Sequence, residues 1–230
     1  MNKHLLHGKI ITDINRAPKE LIERFKKHDT CKIGDAMGRC GIMHYKIKPI
    51  MRGMRVVGSA ITVLTKPGDA LFIQKVIEVI QPGDVVVVDA GGLREMACIG
   101  ERLLGYMVER GLVGFVVDGS IRDSSGILEL NIPVFSKGIC ISIGGAIGPG
   151  AINVPIQCGG VPIKPGDIVV GDDDGVVVVP QENAEEIADV ADDVLKGELL
   201  RAEMMRSGKS VDEVYDLSPR IEIWQDKTLP

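Results

Sequence analysis

Residues 91–123 read GGLREMACIGERLLGYMVERGLVGFVVDGSIRD, and the alternation of elements within this stretch decides the fold. Leu103, Leu104, Met107, Val108 and Gly111 recur at helical spacing, which predicts a helix starting near Gly100-Glu101. Val113 to Val117 is a short, continuous, largely β-branched run, the pattern of a strand covered on both faces. Arg122 and Asp123 follow just beyond it, at the carboxyl end where open α/β sheets bind ligands. The first N–H groups of the helix lack partners inside it and attract anions. Twenty residues lie between Glu101 and Arg122, about the length of a helix plus a returning strand. One cation, two carboxylates and a set of N–H donors are therefore expected in one cleft.

Working outward, Val85 to Asp89 is a second buried strand, and with the helix and Val113 to Val117 it makes a βαβ unit, right-handed by expectation. Pro-Gly-Asp occurs at 67–69, 82–84 and 165–167. Each copy predicts a turn, in which Pro presets φ, Gly supplies a positive φ and Asp bonds nearby backbone. After Asp69 a helix is expected through Leu71, Ile73, Val76, Ile77 and Ile80, and before it Val56 to Val63 reads as a strand. Pro18 to His28 reads as an amphipathic helix with Pro in its first turn, and Thr30 to Arg39 as a short helix capped by Thr30. Beyond Asp123 a short helix leads to Pro133-Val-Phe135, and residues 138–180 are β-rich. There Ile168 to Gly171 and Val176 to Val179 flank Asp172-Asp-Asp-Gly175, a hairpin by its turn chemistry. A long charged helix over Gln181 to Ser207 and a shorter one from Val211 close the chain. The reading is an α/β fold, with a single catalytic domain over 1–180 and a helical extension over 181–230.

Composition removes several function classes. Of 230 residues, 45% are hydrophobic, mainly Val, Ile, Leu and Ala, which suits sheet layers and leaves few aromatics for stacking on bases. A net charge of −5 lacks the clustered cations that phosphate neutralisation needs, so no nucleic-acid partner is expected. Five cysteines without C-x-x-C spacing read as reduced thiols of a cytoplasmic protein, and no apolar run reaches the ~18 residues of a membrane span. The nucleophile elbow, the phosphate-binding P-loop and the H-E-x-x-H zinc helix are all absent. Gly144 to Gly148 matches a dinucleotide fingerprint only loosely; His4, His7, His28 and His44 are scattered. The three adjacent aspartates lack calcium-loop spacing and read as a turn, and Asp35 reads as an exposed helix carboxylate. What remains is Arg122, suited to bidentate recognition of a carboxylate or a developing enolate, beside Asp123, an oxygen ligand for a hard divalent cation.

Taken together, Asp35-Ala-Met-Gly-Arg39, Thr65-Lys-Pro-Gly-Asp69, Gly100-Glu-Arg-Leu103, Asp118-Gly-Ser-Ile-Arg-Asp123, Gly159-Gly160, Pro165-Gly-Asp167 and Gly171-Asp-Asp-Asp-Gly-Val176 resemble one family over about residues 35–208. It is that of the pyruvate aldolases of the 4-hydroxy-4-methyl-2-oxoglutarate and 4-carboxy-4-hydroxy-2-oxoadipate type, which also contains the regulator of ribonuclease activity A. The resemblance implies a swivelling phosphohistidine-domain-like β/β/α fold, a homotrimer or hexamer, and sites shared between neighbouring subunits. It implies Mg²⁺ or Mn²⁺ on Asp123, with Glu101 and Glu198 completing the metal site, the latter from an adjacent subunit. Arg122 would contact a 2-oxo acid substrate, and the backbone of Gly100, Glu101, Arg102 and Leu103 would hold its carboxylate. The implied reaction is aldol cleavage of a 4-hydroxy-2-oxo acid to pyruvate, with oxaloacetate decarboxylation beside it. The alternative within the family is a non-catalytic regulator of a ribonuclease. Two departures, Cys98-Ile99 for a frequent Leu-Trp and a less basic, less proline-rich segment from Lys137 to Gly148, bear on the acceptor half of the substrate.

Overall fold

The computed structural model describes residues 8–218. His4, His7 and the rest of the first seven residues, and residues 219–230 of the expected extension, lie outside the described residues. The chain is a mixed α/β structure built on one large sheet. Its parallel centre is β3 (Val56–Thr65), β4 (Asp84–Asp89), β6 (Gly114–Ile121) and β7 (Val134–Ile139), paired in that order. Two short strands, β1 (Lys9–Ile10) and β2 (Lys48–Pro49), finish the edges; β5 (Ala97–Ile99) joins β6 beyond the point where β4 ends.

Alternation along the strands builds two packed faces. Val86 and Val88 of β4 meet the helices, while Val85 and Val87 point into a second core beneath. The helical face carries α3 (Leu71–Lys75), α4 (Glu101–Glu109) and α5 (Ser124–Glu129), with Phe72, Leu104, Met107 and Ile127 buried. The opposite face is covered by the antiparallel pair β9 (Ile156–Cys158) and β10 (Val161–Ile163). β3 is a hub. β4 lies along one edge, while β11 (Ile168–Asp172) and β8 (Gly150–Ile152) share the other. β11 turns back through Asp173-Asp174 into β12 (Gly175–Val179), the expected hairpin.

Against this hairpin pack α1 (Lys19–Phe25), α2 (Thr30–Ala36) and the first half of α6 (Ala184–Arg206), which buries Ala184, Ala188 and Ala191. Arg24 reaches Asp189 and Asp192 at 2.7 Å, and the buried His28 ring lies 2.9 Å from Asp192, so α6 is fastened to its own chain by charge as well as by alanines. A capped α7 (Val211–Tyr215) follows. No helix among the described residues is long and apolar enough to cross a membrane.

Several boundaries differ from expectation. Asp29, not Thr30, caps α2 by accepting from Lys32 N at 2.9 Å; Thr30 is already helical and donates its hydroxyl to Asp172 at 2.6 Å. Pro18 precedes α1 as its cap rather than sitting in the first turn. The helix expected through Ile80 is α-helical only to Lys75 and tightens to a 3₁₀ turn over Val76–Glu78, where β-branched residues crowd the preceding turn. β6 runs four residues past Val117, and its buried Asp118 is ion-paired with Lys137 Nζ and accepts from Gly159 N.

The three Pro-Gly-Asp turns share a further property: each aspartate also grips a distant segment. Asp69 accepts from Ile147 N and Gly148 N, Asp167 from Gln181 N, and Asp84 takes a bidentate Arg16 at 2.8 and 3.0 Å. Asp84 is fully buried, so Arg16→Ala strands a charge with only Gln81 N as donor among the described residues. Removing one partner of such a pair costs about 3 kcal/mol, roughly 6–12 °C in Tm for a chain of this size. Thermal unfolding checks this, and a Tm within about 2 °C of wild type would refute it.

Candidate functional site

The carboxyl ends of β5 and β6 lie side by side, and the site is what emerges from them. Arg122 N donates to Ile99 O at 3.0 Å, which brings Arg122 alongside Gly100, the extended cap residue of α4. Asp123 then adopts φ 57°, a left-handed conformation uncommon outside glycine, and caps α5. This turn folds its carboxylate back onto Gly100: a Cβ there would overlap Asp123 Oδ2. Only glycine lets the carboxylate approach the start of α4 so closely.

Arg122 spends one nitrogen on this arrangement. Nε lies 3.1 and 3.2 Å from the two Asp123 oxygens, and the terminal guanidinium nitrogens make no protein hydrogen bond among the described residues. Both side chains are partly exposed, at 36% and 41%. They open onto a cavity of about 440 Å³ into which Gly100, Arg102 and Leu103 also project. Five expected site residues thus share one cavity. At its edge the N–H groups of the first α4 turn lack helical partners and favour an anion.

Two expected site residues stand apart. Glu101 lines neither this cavity nor its neighbour; its carboxylate leans over α5, against Gly126, where a Cβ would collide with it. Glu198 lies on the far side of the fold, 3.3 Å from Lys32 of α2. Among the described residues no three His, Cys, Asp or Glu side chains gather as a metal cluster.

Sequence reasoning missed Gln74 and Tyr106, which line the 440 Å³ cavity together with Cys98 and Ile99 of the Cys98-Ile99 departure. Tyr106 follows Arg102 by one helical turn, a spacing that carried the signal. Burial pushes the Cys98 thiol up to about 12, so it stays protonated at neutral pH and is no thiolate nucleophile. No lysine or histidine among the described residues lines either cavity bordered by Arg122 and Asp123. Lys137, the lysine deepest in the sheet here, is held by Asp118.

A second cavity of about 410 Å³ lies on the other side of the Arg122-Asp123 pair, walled by Ser124, Ser125 and the segment Ile139–Ile141. Cys140 N donates to Ile121 O at 3.0 Å and so lays this segment beside the pair. Asp35 is exposed on α2, as read from sequence, and lines a separate groove.

Known proteins bear on this geometry. The chain is 42% identical over 174 residues, 76% of its length and 83% of the relative's, to a Halalkalibacterium halodurans protein provisionally named 4-hydroxy-4-methyl-2-oxoglutarate aldolase. A Thermus thermophilus protein named 4-hydroxy-4-methyl-2-oxoglutarate aldolase is 31% identical over 113 residues, covering 49% of this chain and 69% of that one. The crystal structure of Streptomyces coelicolor RraAS2, described as an unusual member of the RNase ES inhibitor RraA protein family, superposes with a TM-score of 0.74 at 32% identity, over 83% of this chain and all of that one. The RraA-like family model, Aldolase/RraA, matches residues 30–178, from the start of α2 to the last strand of the hairpin and across both cavities, and the chain belongs to that family.

Proposed function

We propose that the protein is a divalent-metal-dependent aldolase that cleaves a 4-hydroxy-2-oxo acid to pyruvate and a second carbonyl compound. The observation that carries this reading is the Arg122 guanidinium, its terminal nitrogens without protein partners, set beside the Asp123 carboxylate and the open N-terminus of α4 in one cavity. The names of the relatives support it.

The donor set fits a hard cation that keeps most of its waters. Mg²⁺ typically takes one or two carboxylates, and Asp123 offers one, partly exposed and held only by Arg122 Nε. Asp123 would hold the ion, with Glu101 and a neighbouring copy's Glu198 holding its waters. Bound there, a divalent cation supplies Lewis-acid polarisation of the 2-oxo group. The residues do the rest. The N–H groups at the start of α4 hold the substrate carboxylate, and the Arg122 fork binds the 2-oxo oxygen as it gains charge. The C3–C4 bond breaks with its electron pair passing to C3, which yields pyruvate enolate. The 4-hydroxyl proton would leave toward a neighbouring copy's Glu198, and a proton delivered to C3 would complete pyruvate.

Loss of CO₂ from oxaloacetate leaves the same enolate. Pyruvate release from oxaloacetate is therefore expected with Mg²⁺ or Mn²⁺ and should fall to background with EDTA. Equal rates in both would sink the metal reading.

A homotrimer or hexamer with shared sites accounts for the position of Glu198. Within its own chain it lines neither cavity, and Leu199 and Leu200 beside it are 61% and 59% exposed, an apolar pair suited to a neighbouring copy. Mixing inactive Asp123→Ala with inactive Glu198→Ala protein after dissociation should restore part of the activity. No recovery despite proven subunit exchange would refute a role in trans.

The likeness to RraAS2 favours a second reading, a non-catalytic regulator that binds a ribonuclease. Capture of a ribonuclease, together with no pyruvate from any 4-hydroxy-2-oxo acid, would put it first.

A further inference from the structure

We infer that Asp69, which lines neither cavity beside Arg122 and Asp123, is a positioning residue for both: its carboxylate pins residues 140–149 and the start of α3 in place as walls of the 2-oxo acid pocket. The inference rests on the aldolase reading and deepens it.

Residues 140–149 join β7 to β8 and border both cavities, with Ile143 lining the 440 Å³ one and Cys140 and Ile141 the other. This wall has little of its own to hold it. Ile141 and Ile147 are 93% and 84% exposed, and Gly144, Gly145 and Gly148 carry no side chain. Backbone bonds tie it down at Ile121, Ala97 and Ala70, the last donating its N–H to Gly145 O at 2.9 Å. Among the described residues, the one side chain of another element that hydrogen-bonds it is that of Asp69, whose Oδ2 accepts from Ile147 N at 2.7 Å and from Gly148 N at 2.9 Å.

The second oxygen serves the other wall. Asp69 Oδ1 accepts from Leu71 N at 2.9 Å in the first turn of α3, the helix that brings Ala70 and Gln74 to the 440 Å³ cavity. One buried carboxylate, 7% exposed, thus joins two walls. Burial works against its charge, but the N–H groups of Ile147, Leu71 and Gly148 hold its pKa below the ordinary aspartate value, so it accepts from both sides at neutral pH. The backbones also come close: a Cβ on Gly144 would lie 2.2 Å from Gly68 O. The glycines of residues 144–148, a poor dinucleotide fingerprint, let this segment approach the Pro67-Gly-Asp69 turn. A pocket whose walls are assembled only part of the time binds more weakly by the inverse of the assembled fraction, while turnover of what is bound is unchanged. Loosening the pin should therefore raise KM and spare kcat.

The test compares Asp69→Asn with Asp167→Asn, each the loss of one acceptor oxygen in a buried Pro-Gly-Asp turn. Asp167 accepts from Lys164 N and Gln181 N and lines neither cavity. Both changes should lower Tm, and Mn²⁺ affinity should hold in both because Asp123 is untouched. With full-length protein, Mn²⁺ and oxaloacetate, Asp69→Asn should raise KM about ten-fold or more with kcat within about three-fold, whereas Asp167→Asn should leave KM within about two-fold. Amide hydrogen exchange at residues 144–148 should quicken in Asp69→Asn alone. Gly144→Ala keeps Asp69 intact and pushes the segment away from the other side; it should reproduce the KM rise, and it carries the test should Asp69→Asn fail to fold. Calorimetry with oxalate, a planar stand-in for pyruvate enolate, reads the pocket without turnover and should show affinity about ten-fold weaker in Asp69→Asn and Gly144→Ala. Unchanged KM and oxalate affinity in the folded variants, or an equal KM rise in Asp167→Asn, would overturn this inference and leave the aldolase reading standing. Wild-type protein that binds oxalate but forms no pyruvate would end the aldolase reading, with the oxalate affinities still deciding the role of Asp69. Neither binding nor turnover would overturn both.

Discussion

Asp123→Ala is expected to lower metal-dependent pyruvate release by about 10³-fold or more, the largest single effect in this protein, while leaving the fold intact. The side chain is 41% exposed and makes no contact with the core, so its loss should move Tm little. It is also the one carboxylate lining the cavity among the described residues, and in the proposed mechanism it is the group that binds the cation directly. Calorimetric titration with Mn²⁺ should show binding lost with activity. Gly100→Ala approaches the same point from the other side, since its Cβ would overlap Asp123 Oδ2 and force the carboxylate away. An Asp123→Ala protein with near-wild-type turnover in Mg²⁺ would end the metal assignment.

Arg122→Lys should leave Mn²⁺ binding in place and reduce kcat/KM by about 10²-fold to 10³-fold. The charge is conserved but the fork is not. Arginine can face Asp123 through Nε and still offer two terminal nitrogens to a ligand, whereas a lysine ammonium has one point to share between them. The loss should fall on kcat more than on KM, because the developing enolate oxygen carries more charge than the ground-state ketone. Unchanged kcat/KM in the lysine variant would show Arg122 to be a solvated bystander.

The elements around this site were legible because they follow local rules. Helical spacing from Leu103 to Gly111, the β-branched run after it and turn chemistry at three Pro-Gly-Asp copies placed α4, β6 and the hairpin before any contact was known. Polar residues hid the rest. Asp118 and Ser120 masked the last turn of pleat in β6, since burial of a paired aspartate cannot be told from exposure by residue type. β5 spans three residues, too short to show a period. Gly100, Arg102 and Leu103 were expected beside the pair only from the family resemblance, while the approach of the α4 start to Arg122 and Asp123 followed from helix and strand lengths. The positions of Glu101 against α5 and Glu198 against α2 did not, because side-chain direction and long-range packing set them. Ile139 and Ile141 fall in the span read only as β-rich, and the structure shows them uncovered.

The hub strand also constrains how the chain is born. β3 is complete by Thr65, yet half of one edge is closed by Ile168 to Gly171 and the rest by Gly150 to Ile152. During synthesis from the N-terminus, its β4 edge can be paired within about twenty residues, while the opposite edge waits for about a hundred more. Such distant pairing slows folding and leaves a long apolar edge open on the nascent chain. Truncations that end before the β11–β12 hairpin should therefore be the aggregation-prone fragments of this protein, and a chaperone that shields strand edges should act on it before residue 168 has emerged.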